Sequence, residues 1–214
     1  MAEGRALIFA GGSFDPHGLQ AHVTAGRWDW VIAADSGARH AVASGHSLDL
    51  IVGDFDSIDP TLARQMASVP RQSFPRDKAK TDTHLALDWA LDQGARHIVI
   101  AGGLGGRFDH SLANAQLLVR MHRTGARGVV TDGRQAVYLL AKSLHLESNR
   151  DLTLSVLPLT ERCEGLSLRG LRWELTDVPL LMGETRTVSN ELHGAVAELS
   201  LAVGLALVVV GPPD

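Results

Sequence analysis

The stretch LIFAGGSFDPHG, residues 7–18, decides how the first half of the chain is read. Leu7-Ile8-Phe9-Ala10 is a short continuous apolar run, the pattern of a strand buried on both faces, and Gly11-Gly12 is the turn leaving its carboxyl end. In an open parallel sheet that edge is where ligands bind. The same strand-then-turn pattern recurs downstream. From Ala6 to about Ala141, short apolar runs alternate with longer segments of helical period, which predicts strand-helix-strand units feeding a parallel sheet. Strands are expected at Leu7–Ala10, Trp30–Ala34, Leu50–Val52, Arg71–Phe74, His97–Ala101 and Gly128–Thr131. One helix is expected over Thr83–Gln93, with Leu85, Ala86, Trp89 and Ala90 on its buried stripe and Gly94 as its stop. A second, over Ser111–Arg123, carries Leu112, Ala115, Leu118, Val119 and His122 on its stripe.

The Phe-Asp-Pro-His-Gly that follows the first turn resembles the opening of adenylyltransferases related to nicotinate-nucleotide enzymes, which need a His-x-Gly-His pair at the phosphates. The spacing here breaks that pair. His17 and His22 stand five apart with no glycine directly before the second, and nothing after Asp151 has the form of that family's serine/threonine-rich phosphate loop.

The remaining composition narrows the class. The chain has 214 residues, 45% of them hydrophobic, enough for one large domain or two small ones. With 24 acidic against 20 basic residues and no long Lys/Arg run, a nucleic-acid partner is not expected. Cys163 is the only cysteine, so no internal disulfide framework or thiolate metal cluster can form; this fits a reducing cytoplasm, with Cys163 expected inside a strand. No leader pattern opens the chain and its apolar stretches are strand-length, so no membrane crossing is expected.

After about Ser143 the helical period gives way to short alternating segments: Leu152–Val156, Leu166–Leu168, Val196–Leu201 and Leu205–Val210. That texture predicts an antiparallel sandwich or jelly roll. The expected organisation is therefore an α/β domain over 1–142 and an all-β domain over 143–214, with no Pro/Gly/Ser linker between them.

VGDFDS, Val52–Ser57, carries the clearest chemistry. A strand runs into Gly53, and Asp54 and Asp56 follow; in extended geometry residues i and i+2 point the same way. Two such carboxylates repel unless a cation lies between them, and Mg²⁺ suits hard oxygen ligands. Equally, Asp54 could close a turn while Asp56 or Ser57 caps the next helix. Further fragments point to a polar cleft. Asp35 directly follows a strand, and Ser36-Gly37 opens a helix where backbone N–H groups can meet phosphate. Asp82 begins another helix, where it could equally act as a cap. GGLGGRFDH, Gly102–His110, is a glycine-rich loop in which Arg107 and Asp109 supply opposite charges.

Taken in order, Asp35, Gly53-Asp54-Phe55-Asp56-Ser57, Thr81-Asp82, Gly105-Gly106-Arg107-Phe108-Asp109-His110 and Leu112-Ala113-Asn114 resemble the thiamine pyrophosphokinase family. The resemblance continues through Gly170–Leu175 and Thr187–Glu191, which are similar to the family's thiamine-binding β-domain. It implies a Rossmann-like parallel sheet followed by a β-sandwich, and Mg²⁺-dependent transfer of the terminal diphosphoryl group of ATP to the hydroxyethyl oxygen of thiamine, giving thiamine diphosphate and AMP. Under it, Asp54, Asp56 and Asp82 would hold the metal, with Arg107 and Asp109 at the reacting phosphates. Gly11, Gly12, Asp35, Ser36, Gly37, Thr81, Gly105 and Gly106 would receive ATP, and His110, Trp173, Ser189 and Asn190 would receive thiamine. It also implies a homodimer in which Ser189 and Asn190 complete the partner's site.

Three departures stand out. Family members commonly read Lys-Asp-x-Thr-Asp where this chain has Lys78-Ala79-Lys80-Thr81-Asp82, and a glutamate or glutamine where it has His84; Ser36 also replaces a common glycine. The alternatives are a non-catalytic thiamine- or nucleotide-binding protein of the same fold, and a pyrophosphokinase for another acceptor.

Overall fold

The computed structural model describes residues 3–19, 26–56, 59–75 and 77–213; His22 and Ser57 lie outside them. It resolves into two compact units, Met1–Arg134 and Gln135–Asp214. The division falls before residue 142 because Ala136–Leu140, part of the expected α/β stretch, is an antiparallel strand of the second unit.

In the first unit, β1 (Gly4–Phe9), β2 (Trp30–Ala34), β3 (Leu50–Gly53), β4 (Arg71–Ser73), β5 (Ala95–Ala101) and β6 (Arg127–Thr131) form parallel ladders in the order β6-β5-β1-β2-β3-β4. From β1 the chain proceeds outward through β2 to β4, then returns to the other side of β1 for β5 and β6. The order thus reverses between β1 and β5, and the crevice outside the carboxyl ends of strands at such a reversal is where open α/β sheets bind ligands. Ala6, Leu7, Ile8 and Phe9 of the central strand are fully buried, as a strand covered on both faces requires.

Helix α1 (Ala38–Ala43) follows a 3₁₀ turn at Asp35–Gly37, and α2 (Pro60–Gln65) is capped by Asp59, whose carboxylate accepts from the N–H groups of Thr61 and Leu62. Helix α3 (Asp82–Asp92) is capped by the Thr81 hydroxyl, which accepts from His84 N–H. Its buried face is Thr83, Ala86, Leu87 and Ala90, so Leu85 and Trp89 of the expected stripe are only half-buried. Helix α4 (Phe108–Arg123) starts before Ser111 and buries Asn114, Ala115, Leu117, Leu118 and Met121. Leu112 and His122, expected on that face, are exposed, because the apolar arc is centred about one residue earlier than the Leu112 phase implies.

The second unit is a pair of antiparallel sheets. One contains β7 (Ala136–Leu140), β9 (Thr153–Pro158), β12 (Asn190–Glu191) and β14 (Ala206–Gly211), with β14 between β7 and β9. The other orders β11 (Leu175–Leu181), β10 (Arg162–Arg169), β13 (Val196–Ser200) and β8 (Ser143–Glu147). Leu154, Val156, Val208 and Val210 from the first sheet join Leu166, Leu168, Leu180 and Leu199 from the second in one core. Cys163 is buried within it as a free thiol on β10. No helix among the described residues is long and apolar enough to cross a membrane.

Candidate active site

A cleft of about 620 Å³ opens at the carboxyl ends of β1, β2, β3 and β5 in the first unit. Ala10, Gly11 and Gly12 form one wall, Asp35, Ser36 and Asp54 the floor, Lys78–Thr83 a second wall, and Gly103, Gly105, Gly106, Arg107, His110 and Asn114 a third.

The glycine turn after β1 is tied down on both sides. Gly12 N–H donates to the Gly102 carbonyl at 2.8 Å and Ser13 N–H to that of Leu104 at 2.9 Å. From α1, Arg39 Nη2 donates to the Gly11 carbonyl at 2.7 Å, and His40 Nε2 lies 2.9 Å from that of Gly12. Gly12 therefore serves as a fixed wall, its N–H already occupied. Burial lowers the His40 imidazole pKa below its ordinary value, against the opposing pull of the Gly12 carbonyl; Arg39 adds to the lowering. Gly37 is not in the cleft lining: a Cβ there would lie 2.0 Å from the Phe9 carbonyl oxygen, so its part is close packing of the 3₁₀ turn on β1. His17, from the opening motif, is exposed and outside the lining.

Asp35 and Asp54 of this lining and Asp56 beside them each place a carboxylate oxygen within 4.8 Å of the others. The parallel register of β2 and β3, with Ala34 opposite Val52, sets Asp35 beside Gly53 and Asp54. The chain from Asp54 to Asp56 is not extended, as the spacing had suggested. Phe55 sits in the left-handed region at φ 65°, and Asp56 N–H donates to Asp54 Oδ1 at 3.3 Å, so a tight turn gathers the carboxylates. A bulky residue at that φ is a true backbone outlier, and Asp35 shares the region at φ 47°. Asp59, not Asp56, caps α2, which leaves Asp56 to the cluster.

Asp82 sits apart from this trio. It is the first residue of α3 and pairs with Lys78 Nζ at 3.0 Å. Lys80 Nζ reaches Asp88 Oδ2 at 2.7 Å, and Arg120 Nε reaches the other oxygen at 2.5 Å. Partial burial pushes the Asp88 carboxyl up, but hydrogen bonds from Lys80 and Arg120 outweigh it and hold its pKa low. Arg107 and Asp109 form a two-point pair, Nε to Oδ1 at 3.1 Å and Nη2 to Oδ2 at 2.6 Å, in which each holds the other charged. Lys78, Lys80 and the buried Asn114, whose amide donates to the Gly103 carbonyl at 2.9 Å, are cleft residues that motif reading did not assign a role.

The remaining expected residues lie in the second unit. Trp173 is 53% exposed, so it is not a core residue, and Arg172 stacks over it at 4.8 Å. Asn190 is buried; its Oδ1 accepts from Trp173 N–H at 3.1 Å, and its Nδ2 donates to the Trp173 carbonyl at 2.7 Å. Ser189 is exposed at φ 57°, its N–H donating to Ser155 Oγ at 3.0 Å.

A parallel α/β sheet whose reversal point carries clustered carboxylates, glycine loops and lysines has the donors that a phosphorylated ligand and a divalent cation would need. Comparison with known proteins sharpens the class. The family pattern described as "Thiamin pyrophosphokinase, catalytic domain" matches residues 23–130, and "Thiamin pyrophosphokinase, vitamin B1 binding domain" matches residues 142–205. Thiamine pyrophosphokinase from Bacillus subtilis (strain 168) is 31% identical over 162 residues, covering 73% of this chain and 75% of that protein. The crystal structure of thiamine pyrophosphokinase from Bacillus subtilis superposes with a TM-score of 0.87 at 26% identity, covering 98% of this chain and all of that one. One from Enterococcus faecalis gives 0.81 at 26% identity, covering 99% of this chain and 100% of its own. The chain belongs to the thiamine pyrophosphokinase family.

Proposed function

We infer that this chain is an enzyme that transfers the terminal diphosphoryl group of ATP to thiamine, giving thiamine diphosphate and AMP. The observation that carries the reading is the Asp35–Asp54–Asp56 cluster, two of whose members, Asp35 and Asp54, line the cleft, in a chain of this family. The donor set fits Mg²⁺: all three residues offer hard carboxylate oxygens, Asp35 and Asp54 are half-buried, and Asp56 is exposed. When bound, Mg²⁺ supplies positive charge opposite the phosphates of the donor.

The chain's own residues do the rest. Gly105 and Gly106, both at positive φ, let the backbone approach the phosphate chain closely. Arg107 exchanges Asp109 for a phosphate oxygen, keeping a two-point charge-assisted contact. Lys78 adds positive charge to the cleft lining while Thr81 fixes the start of α3. Trp173, whose backbone Asn190 holds and whose ring is exposed, offers a flat surface to an aromatic ring of the acceptor. The open parallel sheet is Rossmann-like in this reading, and the second unit is the thiamine-binding and dimerisation domain of a cytoplasmic homodimer, in which Ser189, Asn190 and Trp173 serve the partner's cleft.

The test is a coupled assay with ATP, Mg²⁺ and thiamine that follows AMP and thiamine diphosphate, with calorimetry of nucleotide and thiamine in parallel. Equimolar formation of the two products is expected. Tight binding of both ligands without AMP release would mark a non-catalytic binding protein, and turnover only with another hydroxylated acceptor would move the substrate assignment.

A further inference from the structure

We propose that Asp88 is a positioning residue for the cleft wall formed by Lys78–Thr81: by pinning Lys80 back along α3, it holds that wall in the shape that receives the donor's phosphates. The inference rests on reading the cleft as the ATP site.

Residues 78–80 belong to no helix or strand, yet they line the cleft together with Thr81. Such a segment is a receptive wall only if something fixes it. Three contacts do so, all from α3: Thr81 caps the helix, Lys78 pairs with Asp82 at 3.0 Å, and Lys80 pairs with Asp88 at 2.7 Å. The first two lie within the helix's opening turn. Asp88 reaches the segment from further along α3 and is the better shielded member of its pair, its side chain 17% exposed against 44% for Lys80.

The arrangement at Asp88 divides its two oxygens between two tasks. Oδ1 takes Arg120 of α4 at 2.5 Å, which ties the two helices whose N-terminal residues both line the cleft. Oδ2 takes Lys80, with His84 Nε2 3.6 Å away on the same side. A tie between helices needs only the first contact. The second acts on the cleft wall, and fixing a loop in its receptive shape before the ligand arrives removes an ordering cost from binding.

The experiment compares the wild type with Asp88→Asn, Lys80→Met, the double variant and Arg120→Gln, measuring the KM for ATP, kcat and thermal midpoint. Binding of inorganic pyrophosphate by calorimetry is measured alongside. Asp88→Asn and Lys80→Met should each raise KM and weaken pyrophosphate binding by about fivefold to tenfold, the scale of one lost charge-assisted hydrogen bond. Turnover of Asp88→Asn should stay within about twofold, since Asp88 lies outside the cleft lining. The double variant should be no worse than Lys80→Met, because both changes cut one link. Arg120→Gln should lower the thermal midpoint while leaving KM unchanged.

An Asp88→Asn protein that binds pyrophosphate more tightly would overturn the proposal, since Asp88 would then be restraining a phosphate-binding lysine. So would an Arg120→Gln protein whose KM rises as far as that of Asp88→Asn, which would assign the effect to helix spacing. If Asp88→Asn does not fold, Lys80→Met cuts the same link from its more exposed end and decides alone. A wild type that binds pyrophosphate but makes no thiamine diphosphate would refute the activity assigned above and leave this comparison intact, because its binding arm does not depend on turnover.

Discussion

Gly53 lies directly against Asp35: a Cβ at position 53 would sit 3.0 Å from the Asp35 Cβ and 3.3 Å from its Cα. The glycine at the end of β3 is what allows two neighbouring parallel strands to bring their following carboxylates together. Its φ of 155° adds a backbone preference that a side chain would oppose. Gly53→Ala is expected to push Asp35 away from Asp54 at a strain of about 1–3 kcal/mol. In activity titrated against Mg²⁺, the half-saturating concentration should rise by about tenfold or more, for a shift of about 1.4 kcal/mol, with the circular dichroism spectrum unchanged. An unaltered Mg²⁺ titration would show that the contact does not govern the cluster.

The grouping of Asp35 with Asp54 and Asp56, rather than Asp82 with that pair, separates two ligand sets. Asp35→Asn, Asp54→Asn and Asp56→Asn should each reduce turnover by about a hundredfold, or about 2.7 kcal/mol of transition-state stabilisation, and raise the Mg²⁺ requirement. Asp82→Asn should instead act mainly through Lys78 and leave the Mg²⁺ requirement within about threefold of the wild type, a shift under about 0.7 kcal/mol. Thermal melting is the folding control. Near-normal turnover of Asp56→Asn at limiting Mg²⁺ would remove it from the set.

The sequence already carried much of this site, and what it missed has a common cause. The expected strand Trp30–Ala34 matches β2 residue for residue, because an apolar run between turn residues states its own limits. Asp54, Asp56 and the glycine loops were likewise legible as strand-end residues. Asp35 reads from the sequence only as an ATP contact, because its place beside Asp54 depends on the β2–β3 register, which no local pattern encodes. Phe55 at positive φ was equally hidden, since a bulky residue gives no signal for a left-handed turn. Asp88 is a tertiary feature: its partners lie on the segment before α3 and near the end of α4. The unit boundary moved to Arg134/Gln135 for the same reason, because Ala136–Leu140 shows its class only through pairing with β14.

His40 gives the first unit a pH dependence with a definite sign. Burial lowers its pKa from 6.5, while the Gly12 carbonyl pulls the other way and Arg39 adds to the lowering. Because the unfolded chain takes up the proton at higher pH than the folded one, the stabilisation is complete above about 6.5 and is lost as pH falls through the depressed folded value. The thermal midpoint should therefore drop between about pH 7 and about pH 5. His40→Gln keeps a donor for the Gly12 carbonyl without the titration, and should flatten that part of the profile. Identical slopes in the two proteins would assign the acid sensitivity to other groups.

Asn190 and Trp173 carry the last prediction. The buried Asn190 amide grips the Trp173 backbone on both sides, so Asn190→Ala leaves polar groups unpaired at a cost of about 1–3 kcal/mol and frees the indole to move. The KM for thiamine should rise while that for ATP does not. The proposed homodimer, in which these residues serve the partner's cleft, adds a sharper expectation. At thiamine concentrations well below the raised KM of Asn190→Ala, the Asp56→Asn and Asn190→Ala homodimers should each have little activity, for complementary reasons. Mixed after dissociation and reassembly, about half the dimers pair one of each, and in these one site holds both lesions and the other neither, so about one quarter of wild-type activity should return. Heterodimers detected by mass spectrometry without any recovered activity would confine the acceptor site to a single chain, and the KM shift of Asn190→Ala would then have to be explained within one subunit.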